Sequence, residues 1–164
     1  MKLRTNDTIA AIATPVGTGA ISIVRMSGPN AISLADKVFR GNYLLSETSG
    51  YTIRHGRVVD VNSEEIDEVV AAVFRSPHSY TGEDCVEISC HGGSFITKKV
   101  LSSLIEAGAR QADPGEFTKR AFLNGMMALS QAEAVADLIN ASSQRALRNS
   151  NAQMNGILGG KVRQ

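Results

Sequence analysis

The chain of 164 residues has room for one compact domain with a small appendage. Its composition, 43% hydrophobic and 20% charged, is that of a globular protein able to bury a core. Seventeen basic against sixteen acidic residues leave a net charge of +1, which excludes a dominant field over the molecule while leaving a local patch open.

The N-terminus is short and polar, and no apolar run approaches the roughly 18–20 residues that a membrane helix needs, so a soluble protein without a cleaved leader is expected. Two cysteines are too few for a disulfide framework. Cys85 and Cys90 share one strand-like run at odd spacing, so they point to opposite faces and cannot pair. Buried, inert thiols in a reducing cytoplasm are the expectation.

In chain order, "DTIAAIAT" reads as a strand, a glycine-bearing connection follows, and "AISIVRMS" is β-branched enough for a second strand. "GPNAISLADKVF" switches to helical period, with Ile32, Ala35, Val38 and Phe39 on one face and Pro29 near the start. "YLLSETSG" reads as a loop and "YTIRHGRVVD" as a strand. "VNSEEID" is a polar turn before the nearly continuous apolar run "EVVAAVFR", a central-strand pattern. After the loop "SPHSYTGED", the segment "CVEISCHGG" sets Val86, Ile88 and Cys90 against Glu87 and Ser89, a strand with one buried face.

From Ser94 the period is helical, with Phe95, Val100, Leu101, Leu104 and Ile105 as the apolar side and Gly108 as the stop. "DPGEF" predicts a helix capped by Asp113, with Pro114 first and Glu116 closing a capping box, ending at Asn124-Gly125. A second box, Ser130 with Glu133, predicts another helix whose stripe is Leu129, Ala132, Val135, Leu138 and Ile139. This tail cannot bury much by itself and reads as part of an incomplete helical bundle.

The glycine connection "ATPVGTGAISIVRMSG" fails as a phosphate loop: no lysine and hydroxyl follow in Walker spacing. It fails as a dinucleotide fingerprint because Ser22 stands at the third glycine and a strand, not a helix, comes next. Glu83 and Asp84 are adjacent and diverge, so they are no obvious acid–base pair. His91 before Gly92-Gly93 and a helix could lie near an anion, although capping is the commoner role. His55, His78 and His91 lack metal spacing, and Cys90–His91 is a poor nucleophile–base pair because strand neighbours face opposite ways. Residue pattern alone supports an α+β domain with a helical tail and no visible catalytic centre.

Taken together, "NDTIAAIATPVGTGAISIVRMSG", "HGRVVD", "YTGEDCVEISCHGG", "DPGEFTKRAFLNG" and "LSQAEAVADLINASS" resemble, in order and separation, the N-terminal part of the MnmE (TrmE) family of tRNA-modification GTPases. The resemblance covers essentially the whole chain. It implies an α+β mixed sheet with flanking helices, an aminomethyltransferase-like folate-binding and dimerisation domain over residues 1–118. Residues 119–164 would be the first segment of a helical domain. The GTPase domain, with its GTP, Mg2+ and K+ sites, and a C-terminal cysteine would lie beyond Gln164, so the fragment itself is expected not to hydrolyse GTP.

The resemblance further implies a 5-formyltetrahydrofolate-type one-carbon donor, a homodimer, a cytoplasmic setting, and action with the flavoprotein MnmG on carbon 5 of the wobble uridine of tRNA. Its folate contacts map to Arg25, in "R-M-S-G", and to Glu83, in "T-G-E-D". The lysine that follows "F-L-N-G" in the family is Met126 here, and the next acidic position is Ala128. Arg25 suits a folate carboxylate or carbonyl, and Glu83 the pterin amine and ring N–H. The departure at Met126 predicts affinity lower by roughly ten- to a hundredfold, with Lys98, Lys99 and Lys119 as candidate replacements. It also motivates a second reading, a dimerisation and docking module with a decayed folate site. A third, a stand-alone folate-dependent one-carbon transferase, finds no acid–base constellation to support it.

Overall fold

The computed structural model describes residues 6–15, 17–139 and 151. Seven strands form one sheet in the order β3-β4-β5-β6-β2-β1-β7. They are β1 (Ile9–Ile12), β2 (Ile21–Ser27), β3 (Phe39–Gly41), β4 (Thr52–Val59), β5 (Glu65–Phe74), β6 (Cys85–His91) and β7 (Arg110–Gln111). Every neighbouring pair is antiparallel except β1 and β7, which run parallel, so the sheet is mixed as expected.

Helices α1 (Ala31–Val38) and α2 (Ser94–Ala107) cover one face of this sheet. The two-residue period of a strand decides which residues lie beneath them, as the sequence showed for β6. Val24 and Met26 of β2, Val86, Ile88 and Cys90 of β6, and Val69, Ala71 and Val73 of β5 meet Ile32, Ala35, Val38, Val100, Leu101 and Leu104 in one core. Both cysteines are buried and free. The other face, carrying Ile21, Ile53 and Val70, is exposed over the middle of the sheet.

Several local expectations shift. Phe39 is not in α1 but opens β3, paired with Val58, because it reaches the core from the sheet edge. Phe95 is 73% exposed, since the buried stripe of α2 starts only at Thr97. The loop after β3 contains a 3-10 turn over Leu45–Glu47, with Leu45 buried and its N–H donating to Asp36 Oδ1 at 2.6 Å. Strand β5 begins at Glu65, inside the anticipated turn, while β7 carries only two residues, too few for a periodicity signal. Gly108 ends α2 at φ 130°, a conformation that glycine adopts without a Cβ penalty.

The helix starts are also corrected. Helix α3 (Glu116–Leu123) is entered through Gly115 at φ 74°, not through Asp113, whose side chain is exposed. Half of the anticipated box survives: the Asp113 N–H donates to Glu116 Oε1 at 2.8 Å. Helix α4 (Leu129–Ile139) begins before Ser130, and its start is closed by Gln131, whose Oε1 accepts the Ala128 N–H at 2.8 Å. Among its described side chains, Gln131 and Ala134 are buried while Leu129 is exposed. The Ile139 side chain and the tail beyond it, apart from residue 151, lie outside the described residues.

The glycine connection joins two antiparallel strands and extends their neighbour's ladder. Gly19 donates to the Gly92 carbonyl and Gly92 to that of Ala20, both at 3.2 Å. A Cβ on Gly92 would fall inside the Gly19 carbonyl group, so the two backbones approach as only glycine allows. Gly92→Ala is therefore expected to destabilise the fold by about 2–3 kcal/mol, read from urea or thermal unfolding.

Candidate functional site

The outer sheet face becomes polar at one end. Arg25 of β2 stands directly across from Glu87 of β6, and its Nε donates to Glu87 Oε1 at 2.9 Å. Both side chains are about a quarter exposed. The guanidinium carbon lies 5.2 Å from the centre of the Tyr80 ring and 5.4 Å from that of Phe117, so aromatic faces hold its plane. Only Nε has a protein partner among the described residues. Neither terminal nitrogen has a hydrogen bond to a described residue, which leaves a fork matched to a carboxylate or carbonyl.

Glu83 is placed differently. It is 13% exposed, and both of its oxygens accept from Arg120 Nη1 at 3.2 Å. Its Oε1 also accepts from the Ser27 hydroxyl at 2.9 Å, while Thr81 Oγ1 lies 2.7 Å from the same hydroxyl. Ser27 is two residues from Arg25 on the same strand face, roughly 7 Å along β2. Asp84 turns the other way and accepts the Ser76 N–H.

Met126 is 43% exposed and packs against Gly82: a Cβ there would meet the methionine Cγ at 3.1 Å and Sδ at 3.2 Å. Arg25, Glu83 and Met126 thus lie around one loop, Tyr80–Glu83. Of the three lysines considered as replacements, only Lys119 rides on α3, the helix that reaches this loop. Lys98 and Lys99 sit on α2, on the opposite side of the sheet. His91 also has a protein partner, Asp67, whose hydrogen bond at 2.7 Å and charge raise the imidazole above its ordinary pKa.

Behind Glu83 lies a charge cluster built around the buried Arg120. Arg120, 3% exposed, donates to Asp7 Oδ1 at 2.5 Å, to the Asp7 carbonyl at 2.7 Å and to Glu116 Oε2 at 3.3 Å. Arg110 of β7 meets Asp7 Oδ2 at 2.6 Å and grips Glu116 with both terminal nitrogens, at 3.1 and 2.7 Å. Sequence reasoning found Glu116 as a capping residue and missed Arg120 and Glu87. The alternation in "CVEISC" marks Glu87 as outward-facing, but only the register shows that its neighbour is Arg25.

The sequence profile described as the N-terminus of the GTP-binding protein TrmE matches residues 8–126, which span every element from β1 through α3. The chain belongs to this family. It is 51% identical over 160 residues to the tRNA modification GTPase MnmE of Bacillus licheniformis, covering 96% of this chain and 35% of that protein. It is 52% identical over 153 residues to the protein of the same name from Parabacteroides distasonis, covering 92% and 33%. The Bacillus subtilis protein gives 51% over 160 residues. The chain spans about a third of the length of these relatives. The family match ends at Met126, so the whole polar end of the outer face lies within it. No helix among the described residues is long and apolar enough to cross a membrane.

The charge cluster makes stability pH-dependent. The Asp7 carboxyl is held below its usual range, chiefly by the Arg110 hydrogen bond against an opposing effect of burial. Burial pushes Glu116 up, but hydrogen bonds from Arg110 and the Asp113 N–H outweigh it and leave the group lowered. Carboxylates with depressed folded-state pKa values stabilise fully above their unfolded values, and that stability is lost as pH falls through the folded ones. The contribution of these two carboxylates should therefore be constant at neutral pH and decline from about pH 5 downward. Glu116→Gln should lose about 2–3 kcal/mol at pH 7 and flatten that acid slope, followed by denaturant titration at each pH.

Proposed function

We propose that this chain binds a one-carbon folate of the 5-formyltetrahydrofolate type on the polar end of its uncovered sheet face. The observation that carries the reading is the Arg25 fork. One nitrogen is tied to Glu87, the plane is set by Tyr80 and Phe117, and two nitrogens are left for a ligand. A folate fits this donor set. Its carboxylates or pterin carbonyl can take the guanidinium, its amine and ring N–H a carboxylate, and its flat ring an aromatic wall.

Arg25 is the principal contact, with Glu87 beside it as the carboxylate on the open face. Glu83 bounds the site from below and accepts from a ligand only with the lone pairs that Arg120 and Ser27 leave. Met126 stands where the family carries a lysine, so it removes one charge-assisted contact and lowers affinity. When bound, the folate would supply the one-carbon unit.

Family membership extends the proposal to the whole protein. The longer relatives carry the name tRNA modification GTPase. This chain would serve modification of carbon 5 of the wobble uridine, with tRNA and the flavoprotein MnmG as partners, in the cytoplasm. GTP, Mg2+ and K+ would act outside it.

Calorimetry with 5-formyltetrahydrofolate tests the site. Measurable binding is expected, weakened at least tenfold in Arg25→Ala and in Glu87→Gln, and strengthened roughly ten- to a hundredfold in Met126→Lys. No heat at millimolar ligand in the unaltered chain would refute it. If Met126→Lys alone binds, the docking-module reading with a decayed site takes its place.

The chain is also proposed to form a homodimer. The uncovered sheet face supports this, because exposed Ile21, Ile53 and Val70 on one flat surface favour burial against a second copy. Sedimentation velocity should show a dimer, and Ile53→Asp should shift it toward monomer. A monomer at all concentrations in the unaltered chain would overturn self-association.

A further inference from the structure

Four consecutive residues next to the proposed ligand site are each held by α3 or the turn behind it. Tyr80 Oη lies 2.9 Å from Thr118 Oγ1. The Thr81 carbonyl accepts from Asn124 Nδ2 at 2.8 Å. The Met126 side chain occupies the space a Cβ on Gly82 would need, and Glu83 accepts from Arg120. From the same helix, Phe117 lays its ring beside the Arg25 guanidinium, on a strand more than ninety residues earlier in the chain.

We infer that α3 is a wall of the ligand site, in which Phe117 positions Arg25 and the docking of α3 on the loop Tyr80–Glu83 is thermodynamically linked to ligand binding. The inference rests on Arg25 being a ligand contact and adds a residue and a coupling route to that reading.

The physical basis is the mobility of an arginine fork. A guanidinium tied only through Nε can still swing about its side-chain bonds. Two aromatic rings beside it restrict that freedom, so less is lost when a ligand engages the terminal nitrogens. One ring comes from the loop and the other from α3, so the fork is fully held only while the two are clasped. By reciprocity, a ligand that prefers the held fork must tighten the clasp. Helix α4 follows α3 after one short turn, and whatever displaces α4 can act on ligand affinity through this contact.

Phe117→Leu keeps apolar bulk and removes the ring face, whereas Phe117→Tyr keeps the ring. Calorimetry with 5-formyltetrahydrofolate should show roughly tenfold weaker binding for the leucine variant and binding within about twofold of the unaltered chain for the tyrosine variant. Both should melt within a few degrees of the parent. Ligand should also slow hydrogen exchange over residues 116–126. Equal affinity in Phe117→Leu, or ligand binding without added protection of 116–126, would overturn the inference.

Asn124→Ala tests the linkage away from the ring and without ligand. It should accelerate exchange at residues 80–83, and unchanged exchange there would count against coupling. Should the unaltered chain bind no folate, the proposed ligand fails, and the Asn124→Ala exchange result still decides whether α3 and the loop are coupled.

Discussion

A guanidinium that is almost completely buried sets the terms for this fold. Arg120 cannot leave water unless carboxylates meet it, because an isolated buried charge is strongly unfavourable. The three that do, Asp7, Glu83 and Glu116, come from the approach to β1, the loop before β6 and α3 itself. Arg110 of β7 shares two of them and completes an alternating arrangement of charges. The cluster is not an efficient source of stability, since apolar residues of similar volume can do as well. What it does is tie α3, the loop Tyr80–Glu83 and the approach to β1 to one another through a single guanidinium.

That geometry explains why the candidate site lies where it does. Two helices cover one sheet face and bury its middle. The opposite face is open, except where α3 and the loop rise beside Arg25 and give it aromatic walls. Glu83 and Glu87 lie on one side of the sheet in neighbouring positions yet have distinct surroundings. One is occupied by a buried arginine, while the other shares its arginine with the outer face. The same stretch of sequence therefore supplies one carboxylate engaged by a buried arginine and one paired with a partly exposed arginine.

Much of the secondary structure is legible because strands with one buried face advertise themselves by alternation. "CVEISC" shows it plainly, "ISIVRMS" is marked by its β-branched content, and Gly108 and Asn124-Gly125 mark helix ends for conformational reasons. The helix starts were less legible. Asp113 and Ser130 have the right chemistry for caps, but Gly115 and Gln131 take those roles because tertiary contacts decide where the chain can turn. Strand β7 carries no periodic signal at two residues and exists only because β1 offers it an edge.

The sequence by itself determined the α+β class, the buried face of the strand at "CVEISC" and the family, since these follow from local spacing and long ordered motifs. Tertiary structure alone decided that Arg25 faces Glu87, that Arg120 holds Glu83, and that Phe117 stands beside a strand far from it in the chain. Those outcomes depend on strand register and on where buried charge can find compensation. Neither is a property of any local stretch of residues, because both are settled only when distant segments compete for the same partners.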